Sequence, residues 1–316
     1  MEIYTSIALL AASLSVLVWG ADKFIESSSL VAKKLGLSEL TIGLTIVALG
    51  TSAPEIFVGI SSVLNGTEAI AMGTVIGSNI SNIALIFGVS CIGISLAPSK
   101  TSVIQFLPLI LGTAILGLGL VDLKITKVES WGFLFLFVFF LYITYSFRTS
   151  NSNEVVSEDA DKLGSTVLFL IIGLLALIGG SNFAVIHAEQ IAIMLNVPEL
   201  IIGLTIIAIG TSLPELAATI SAIAKKKNDM VIGNVIGSNV MNMALVVPII
   251  GFFSDVSFDS TIFSRDYLVM AVATILFVLV AASYSSNKVN IKLIKFVGCV
   301  FVAGYIGYIL NLSNLI

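Results

Sequence analysis

Two glutamates in apolar surroundings, Glu55 and Glu215, are the residues best placed to do chemistry in this sequence of 316 residues. Glu55 is the only charged residue in the apolar stretch 40–64, within which residues 43–55 read GLTIVALGTSAPE. A carboxylate at the centre of a membrane costs roughly 2.5–3.5 kcal/mol on insertion scales, so polar or ionic groups must compensate for it. Residues 203–215 repeat the motif as GLTIIAIGTSLPE, with 10 of 13 positions identical.

The residues around each glutamate predict a site for a hard cation. The proline before each glutamate has no N–H and interrupts its helix, which frees backbone carbonyls in 48–51 and 208–211. Thr51 and Ser52 lie within one turn of Glu55, so their hydroxyls can point to the same side of a bent helix. Hydroxyl, carboxylate and carbonyl oxygens are the ligands that Ca²⁺ prefers. Two carboxylates, one from each half, would neutralise a divalent ion.

A second pair of segments repeats with the same offset of 160 residues. Residues 73–82 read GTVIGSNISN and residues 233–242 read GNVIGSNVMN, with 7 of 10 positions identical. Ser78 and Asn82 are four residues apart and share a helix face, as do their counterparts in the second segment. These side chains are expected to complete the cation site or to hold the glutamate-bearing helices in register.

The composition predicts an all-α integral membrane protein. It is 57% hydrophobic and 11% charged, with a mean hydropathy of +1.10, whereas soluble domains carry about 25% charged residues. Helices are expected because the alternating pattern of barrel strands is absent. The ten apolar runs long enough to span the bilayer are 3–21, 38–64, 69–97, 101–121, 130–147, 163–187, 198–224, 230–254, 266–286 and 293–312.

The duplication divides the chain into two five-helix repeats, residues 1–148 and 163–316, joined by a short polar linker at 149–162. Because five is odd, the second repeat must enter the membrane upside down. Inverted-topology repeats are typical of secondary transporters, with the substrate site near the midplane between the repeats.

The distribution of Lys and Arg predicts the orientation. Alternating spans place 3 of these residues on the side of the termini and 12 on the side of the linker. The positive-inside rule therefore predicts both termini outside and the linker in the cytoplasm, for a multi-pass protein of the cell (inner) membrane. A basic patch with interleaved aromatic residues is absent, so nucleic acid is not an expected partner. The two cysteines do not indicate a disulfide or a metal site.

The paired GTSxPE and GxxIGSN segments resemble the alpha-repeats of the cation/calcium antiporter superfamily, and most of all those of prokaryotic sodium/calcium exchangers. The resemblance extends over essentially the whole chain. It implies a transporter, not an enzyme, with inorganic cations and the lipid bilayer as partners and with no cofactor or protein partner beyond the transported Ca²⁺ and Na⁺ or H⁺. The site residues that it implies are Ala48, Thr51, Ser52, Glu55, Ser78, Asn82, Ala208, Thr211, Ser212, Glu215, Ser238 and Asn242.

One position departs from that pattern. Exchangers of this kind can carry Asp where this chain has Asn242, and here both symmetric positions, 82 and 242, are Asn. The site therefore has one potential carboxylate fewer, which leaves open the coupling ion and the stoichiometry.

The leading hypothesis is an antiporter that exchanges Ca²⁺ for Na⁺ by alternating access. An H⁺/Ca²⁺ antiporter using the same site is the main alternative. A cation channel fits less well, because a buried carboxylate pair favours occlusion, and an intramembrane hydrolase with Ser52 as nucleophile lacks a base. Spans one and six, which carry Gly20 and Gly179–Gly180, are expected to move against a core of spans two, three, seven and eight.

Overall fold

The computed structural model describes residues 3–93, 101–147, 163–197, 208–285 and 290–312. Every regular element in these ranges is a helix. In chain order the helices are α1 (Ile3–Lys34), α2 (Glu39–Thr51), α3 (Ala53–Leu64), α4 (Glu68–Gly93), α5 (Val103–Leu120), α6 (Lys127–Ser146), α7 (Leu163–Met194), α8 (Ala208–Thr211), α9 (Leu213–Ala224), α10 (Asn228–Phe253), α11 (Ile262–Ser283) and α12 (Ile291–Leu312).

The helices confirm the prediction of an all-α membrane protein. Within the described ranges, eight helices are long and apolar enough to cross a membrane, and α2 with α3 forms a ninth candidate that is bent by 50°. These nine correspond to nine of the predicted spans. For the predicted span 198–224, residues 198–207 lie outside the described ranges, and the remainder forms α8 and the short apolar helix α9.

Two helices are longer than the apolar runs that predicted them. Helix α1 continues to Lys34 and α7 to Met194, and each has 32 residues. The predicted ends, 21 and 187, fall where polar residues begin, but polar residues do not end a helix whose backbone hydrogen bonds continue. In α1, Lys23 Nζ lies 3.0 Å from Glu26 Oε2, one turn away, so the charged side chains pair on the helix surface.

Helices α1 and α7 pack against each other in antiparallel orientation through glycines. A Cβ at Gly180 would lie 2.8 Å from Cα of Leu17, whereas a Cβ at Gly173 would lie 3.1 Å from the carbonyl carbon of Lys23. The contacts thus run in opposite directions along the two helices. Small residues allow backbones to approach closely in a membrane, where packing drives helix association.

The buried apolar residues fall into two clusters. The larger joins residues from α2 to α6 and α10 to α12, and the smaller joins α1 and α7 to the facing residues of α2, α9 and α10. In α10 and α4, 83% and 78% of the most apolar stretch is buried, but only 22% and 28% in α1 and α7. Helices α4 and α10 are therefore the centre of the molecule, and α1 with α7 forms a peripheral pair.

Ion pairs join the two halves at one end of the molecule. Lys225 Nζ lies 2.7 Å from Asp22 Oδ1, and Ser221 Oγ donates to the same oxygen at 3.5 Å. Lys227 pairs with Glu39 close by. These side chains are 24–48% exposed, so each pair contributes about 0–1 kcal/mol.

Candidate cation-binding site

In each glutamate motif the helix breaks at the serine two residues before the proline. Ser52 has φ −83° and ψ 0° between α2 and α3, and Ser212 has φ −93° and ψ 7° between α8 and α9. Pro54 and Pro214 occupy the first turns of α3 and α9, where a missing N–H is tolerated. The break directs each first turn, with its glutamate, toward the interior.

The two carboxylates are buried and close to each other. Glu55 is 2% exposed and Glu215 is 1% exposed. Ser52 Oγ donates a hydrogen bond of 3.2 Å to Glu215 Oε1. A side chain of the first motif therefore contacts the carboxylate of the second, and the two motifs form one site.

Several buried oxygens of the two glutamate motifs and of the central helices α4 and α10 have no protein donor among the described residues. They are Glu55 Oε1 and Oε2, Glu215 Oε2, Ser212 Oγ, Asn79 Oδ1, Asn82 Oδ1 and Asn242 Oδ1. Buried polar atoms are nearly always satisfied, because leaving one unpaired costs about 1–3 kcal/mol. The unpaired carboxylate and hydroxyl oxygens of the two glutamate motifs fit a cation as the missing partner.

The chemistry of these donors limits which cations fit. Within the described ranges, groups of three or more His, Cys, Asp or Glu side chains that could hold a metal ion are absent. The site therefore offers two carboxylates with neutral hydroxyl and amide oxygens, a set that suits Ca²⁺ or Na⁺ better than a transition metal.

Most residues predicted for the site are buried. Ser78, Asn82, Ser238 and Asn242 are at most 5% exposed on the central helices α4 and α10. Thr211, in contrast, is exposed on α8.

The two alanines predicted to act through their carbonyls lie on the helices before the breaks. The Ala48 carbonyl accepts the Ser52 N–H at 3.0 Å and the Thr51 hydroxyl at 3.5 Å. A carbonyl oxygen has two lone pairs, so these bonds compete with a cation for it. Ala208 begins α8.

Asn234 belongs to the site and was not predicted. Its Oδ1 accepts from Thr51 Oγ1 at 3.2 Å and from Ser238 Oγ at 3.5 Å. The counterpart in the first half is Thr74, whose hydroxyl is bonded instead to the Ile70 carbonyl. The spacing in the sequence could have indicated Asn234, because this residue lies four positions before Ser238 and therefore on the same helix face.

Asn79 and Asn239 were not predicted, and Asn239 contacts the predicted residue Asn82. Asn79 Nδ2 donates to the backbone carbonyl of Asn239 at 3.3 Å, and Asn82 Nδ2 donates to Asn239 Oδ1 at 3.1 Å. The available signal was that both residues fall in the identical IGSN segments of the two halves.

A serine of α7 supports the second break. Pro214 cannot supply the N–H that the Gly210 carbonyl would receive in a helix, and the buried Ser181 Oγ donates to that carbonyl at 3.2 Å. In the first half the corresponding position is Ala21, which has no donor. The peripheral helix α7 is therefore bonded directly to the break beside Glu215.

We expect Ser181→Ala to lower the free energy of unfolding by about 1–2 kcal/mol, because it leaves a buried carbonyl without its donor. Thermal unfolding of the purified protein in detergent measures this. Ser90→Ala is the matched control: Ser90 is equally buried, but its hydroxyl bonds to Ile86 within one helix. Equal melting temperatures for the two variants would contradict the assignment.

Comparison with known proteins agrees with these observations. The family model described as sodium/calcium exchanger protein matches residues 5–146 and 165–313, one segment in each half. The chain is 34% identical over 304 residues to a putative antiporter CaxA of Alkalimonas amylolytica, covering 93% of this chain and 94% of the relative. It is 29% identical to the sodium/calcium exchanger MaX1 of Methanosarcina acetivorans, covering 89% and 92% of the two chains.

The fold is shared with a solved structure of the family. The sodium/calcium exchanger from Methanococcus jannaschii superimposes with a TM-score of 0.81 and 27% identity, covering 98% of both chains. The family match covers both halves of the chain, including the segments that carry the two glutamates. The chain therefore belongs to the sodium/calcium exchanger family.

Proposed function

We propose that this protein exchanges Ca²⁺ for Na⁺ across the membrane by alternating access, with Glu55 and Glu215 at a central cation site. The observation that carries the proposal is the set of buried, unpaired carboxylate oxygens contributed by both halves, joined by the bond from Ser52 to Glu215. The relatives named as antiporter or sodium/calcium exchanger support the same function.

Electrostatics explains why such a site would couple two ions. A divalent ion between the two carboxylates leaves a neutral site in surroundings of low dielectric constant. Losing Ca²⁺ without replacement leaves two like charges together, which is costly. We expect the vacant site to change sides slowly, so that Ca²⁺ leaves on one face and monovalent cations replace it before the return step.

The proposed architecture is ten spans in two inverted repeats, residues 1–148 and 163–316, with the linker 149–162 between them. The antiparallel packing of α1 against α7 is what inverted copies of one helix would show. One matched family segment in each half supports the same division. From the distribution of Lys and Arg, we place the termini outside and the linker in the cytoplasm.

In this scheme the peripheral pair α1 and α7 moves against the central helices. Their residues share a small hydrophobic cluster with the facing residues of α2, α9 and α10, and this cluster is separate from the larger one. We propose that the movement takes place at this smaller cluster. Distances from α1 and α7 to the central helices should change when Na⁺ replaces Ca²⁺, as measured with paired spin labels. Fixed distances would contradict this scheme.

Reconstituted vesicles test the exchange and its coupling ion. Vesicles loaded with Na⁺ and diluted into Na⁺-free medium should take up Ca²⁺ in a saturable manner, whereas a pH gradient at equal Na⁺ should not drive uptake. Uptake driven by the pH gradient alone would indicate the H⁺/Ca²⁺ alternative, which the Asn at positions 82 and 242 keeps open. Non-saturating flux independent of the counter-ion would indicate a channel.

The number of carboxylates predicts the stoichiometry. Two buried carboxylates are balanced by one Ca²⁺ or by two Na⁺, so we expect electroneutral exchange. A net movement of one charge per cycle would change the steady-state accumulation of Ca²⁺ by about fiftyfold per 100 mV, since the field acts with about 2.3 kcal/mol per charge. We expect less than a twofold change when the potential is clamped with valinomycin at 0 and at 100 mV, and a fiftyfold change would refute the two-for-one exchange.

The variant Asn242→Asp extends this test. It adds a third carboxylate to the site, which a third Na⁺ would balance, so the accumulation of Ca²⁺ should become dependent on the potential. Asn65→Asp, at an exposed position after α3, is the control and should remain insensitive to the potential.

A further inference from the structure

The central helices α4 and α10 contact each other through equivalent residues. Asn79 Nδ2 donates to the backbone carbonyl of Asn239 at 3.3 Å, and these two positions are 160 residues apart, the offset of the repeat. Asn79 is 1% exposed and Asn239 is fully buried. A residue that contacts its own repeat counterpart lies on the axis that relates the two halves.

The amides around this contact are arranged asymmetrically. Asn82 Nδ2 donates to Asn239 Oδ1 at 3.1 Å. The symmetric bond would run from Asn242 Nδ2 to Asn79 Oδ1, and in the described part of the chain neither atom has a hydrogen-bond partner. One of the two cross-repeat amide bonds is thus formed and the other is open, although all four side chains are buried.

The formed bond fixes the direction of one candidate ligand. When the NH₂ group of Asn82 is held by Asn239, its Oδ1 is turned away from that partner, and this oxygen has no protein donor. Asn242 has no partner for either of its polar side-chain atoms. One amide oxygen is therefore oriented in this conformation, and the symmetric one is not.

We propose that Asn239 and Asn79 are positioning residues, each of which holds one of the two amide ligands, Asn82 and Asn242, in alternate conformations of the transporter. Asn239 holds Asn82 in this conformation, and Asn79 holds Asn242 in the conformation that opens to the opposite face of the membrane. The inference rests on the proposed antiport function. If the two halves are inverted copies, each half adopts the conformation of the other when the transporter opens to the opposite face. The bond from Asn242 to Asn79 must then form when the bond from Asn82 to Asn239 breaks.

Side-specific Ca²⁺ affinities test this proposal. Vesicles of determined orientation give the half-saturating Ca²⁺ concentration at each face. Asn239→Ala removes the acceptor for Asn82 and should raise the half-saturating concentration about fivefold or more at one face, with less than a twofold change at the other. This follows from the loss of a buried hydrogen bond of about 1 kcal/mol or more. Asn79→Ala should do the same at the opposite face, because the bond that it loses in this conformation goes to the Asn239 backbone carbonyl and not to an amide ligand.

Two further variants complete the design. The double variant should weaken Ca²⁺ binding at both faces and return their ratio to that of the wild type. Ser90→Ala, a buried serine of α4 with a hydroxyl bonded inside its own helix, should leave both faces unchanged. If the alanine variants do not fold, Asn239→Ser and Asn79→Ser can replace them, because serine retains a polar side chain. Each serine variant should shift the ratio of the half-saturating Ca²⁺ concentrations at the two faces in the direction expected for its alanine counterpart.

A purely structural role would give a different result. Equal shifts at both faces in both single variants would overturn the positioning role while leaving the antiport proposal standing, provided that the wild type exchanges Ca²⁺ for Na⁺ and Glu55→Gln does not. A wild type without counter-ion-dependent Ca²⁺ flux would overturn both proposals.

Discussion

Replacing Glu215 by Gln is expected to lower Ca²⁺ exchange by more than about 100-fold. Gln has the shape of Glu and retains an oxygen that can accept the hydroxyl of Ser52, which lies 3.2 Å from the carboxylate. It removes one of the two charges that would neutralise Ca²⁺ in a buried site, and an uncompensated buried charge costs about 3–5 kcal/mol. Glu55→Gln should have an effect of the same size, because the two carboxylates contribute equally to the charge balance.

The measurement is Na⁺-driven Ca²⁺ uptake into vesicles at matched protein content. Glu129→Gln is the control, since Glu129 caps the exposed start of α6, where Gln can also complete a capping box. It should exchange at the wild-type rate. If Glu215→Gln did so too, the carboxylates would not be part of the transport site.

The second large effect is expected from a single methyl group between α1 and α7. A Cβ at Gly180 would lie 2.8 Å from Cα of Leu17 and 3.0 Å from the carbonyl oxygen of Ser13, and backbone atoms cannot turn aside. Gly180→Ala should therefore separate the two helices, lower the melting temperature and reduce exchange at least tenfold. Overpacking of this kind costs about 1–3 kcal/mol.

The neighbouring glycine provides the matched control. Among the described residues, nothing lies within 4 Å of a Cβ at Gly179. Gly179→Ala should leave exchange intact and raise the stability slightly, since Ala favours a helix over Gly by about 1 kcal/mol. Equal behaviour of the two alanine variants would show that the contact between α1 and α7 does not govern stability or transport.

Local sequence patterns predicted the helix breaks and the burial of both glutamates. The duplicated glutamate and proline indicated broken helices and a pair of buried carboxylates, because a charge in an apolar run requires compensation whatever the surrounding fold. The prediction of an all-α membrane fold depended on composition and run length alone, and it was confirmed. Helices α1 and α7 extend beyond the apolar runs that predicted them, because an apolar run ends where polar and charged residues begin and a helix does not.

Contacts between distant segments could not be predicted in the same way. Asn234 contacts Thr51, and Asn239 contacts both Asn82 and Asn79, because α2, α4 and α10 cross there. Spacing within one helix does not reveal which face a crossing helix meets. Gly179 and Gly180 are adjacent in the sequence, and only the packing of α7 distinguishes the buried glycine from the free one.

Helices α1 and α7 are longer than the hydrocarbon layer of a bilayer is thick. A helix of 32 residues is about 48 Å long, but the hydrocarbon layer is only about 30 Å thick. Such helices must tilt or extend beyond the acyl chains, and any movement along their length changes how much of each is covered by lipid. Under the proposed alternating access, phospholipids with shorter or longer acyl chains should therefore shift the balance between the inward-open and outward-open forms, and the composition of the membrane would regulate transport.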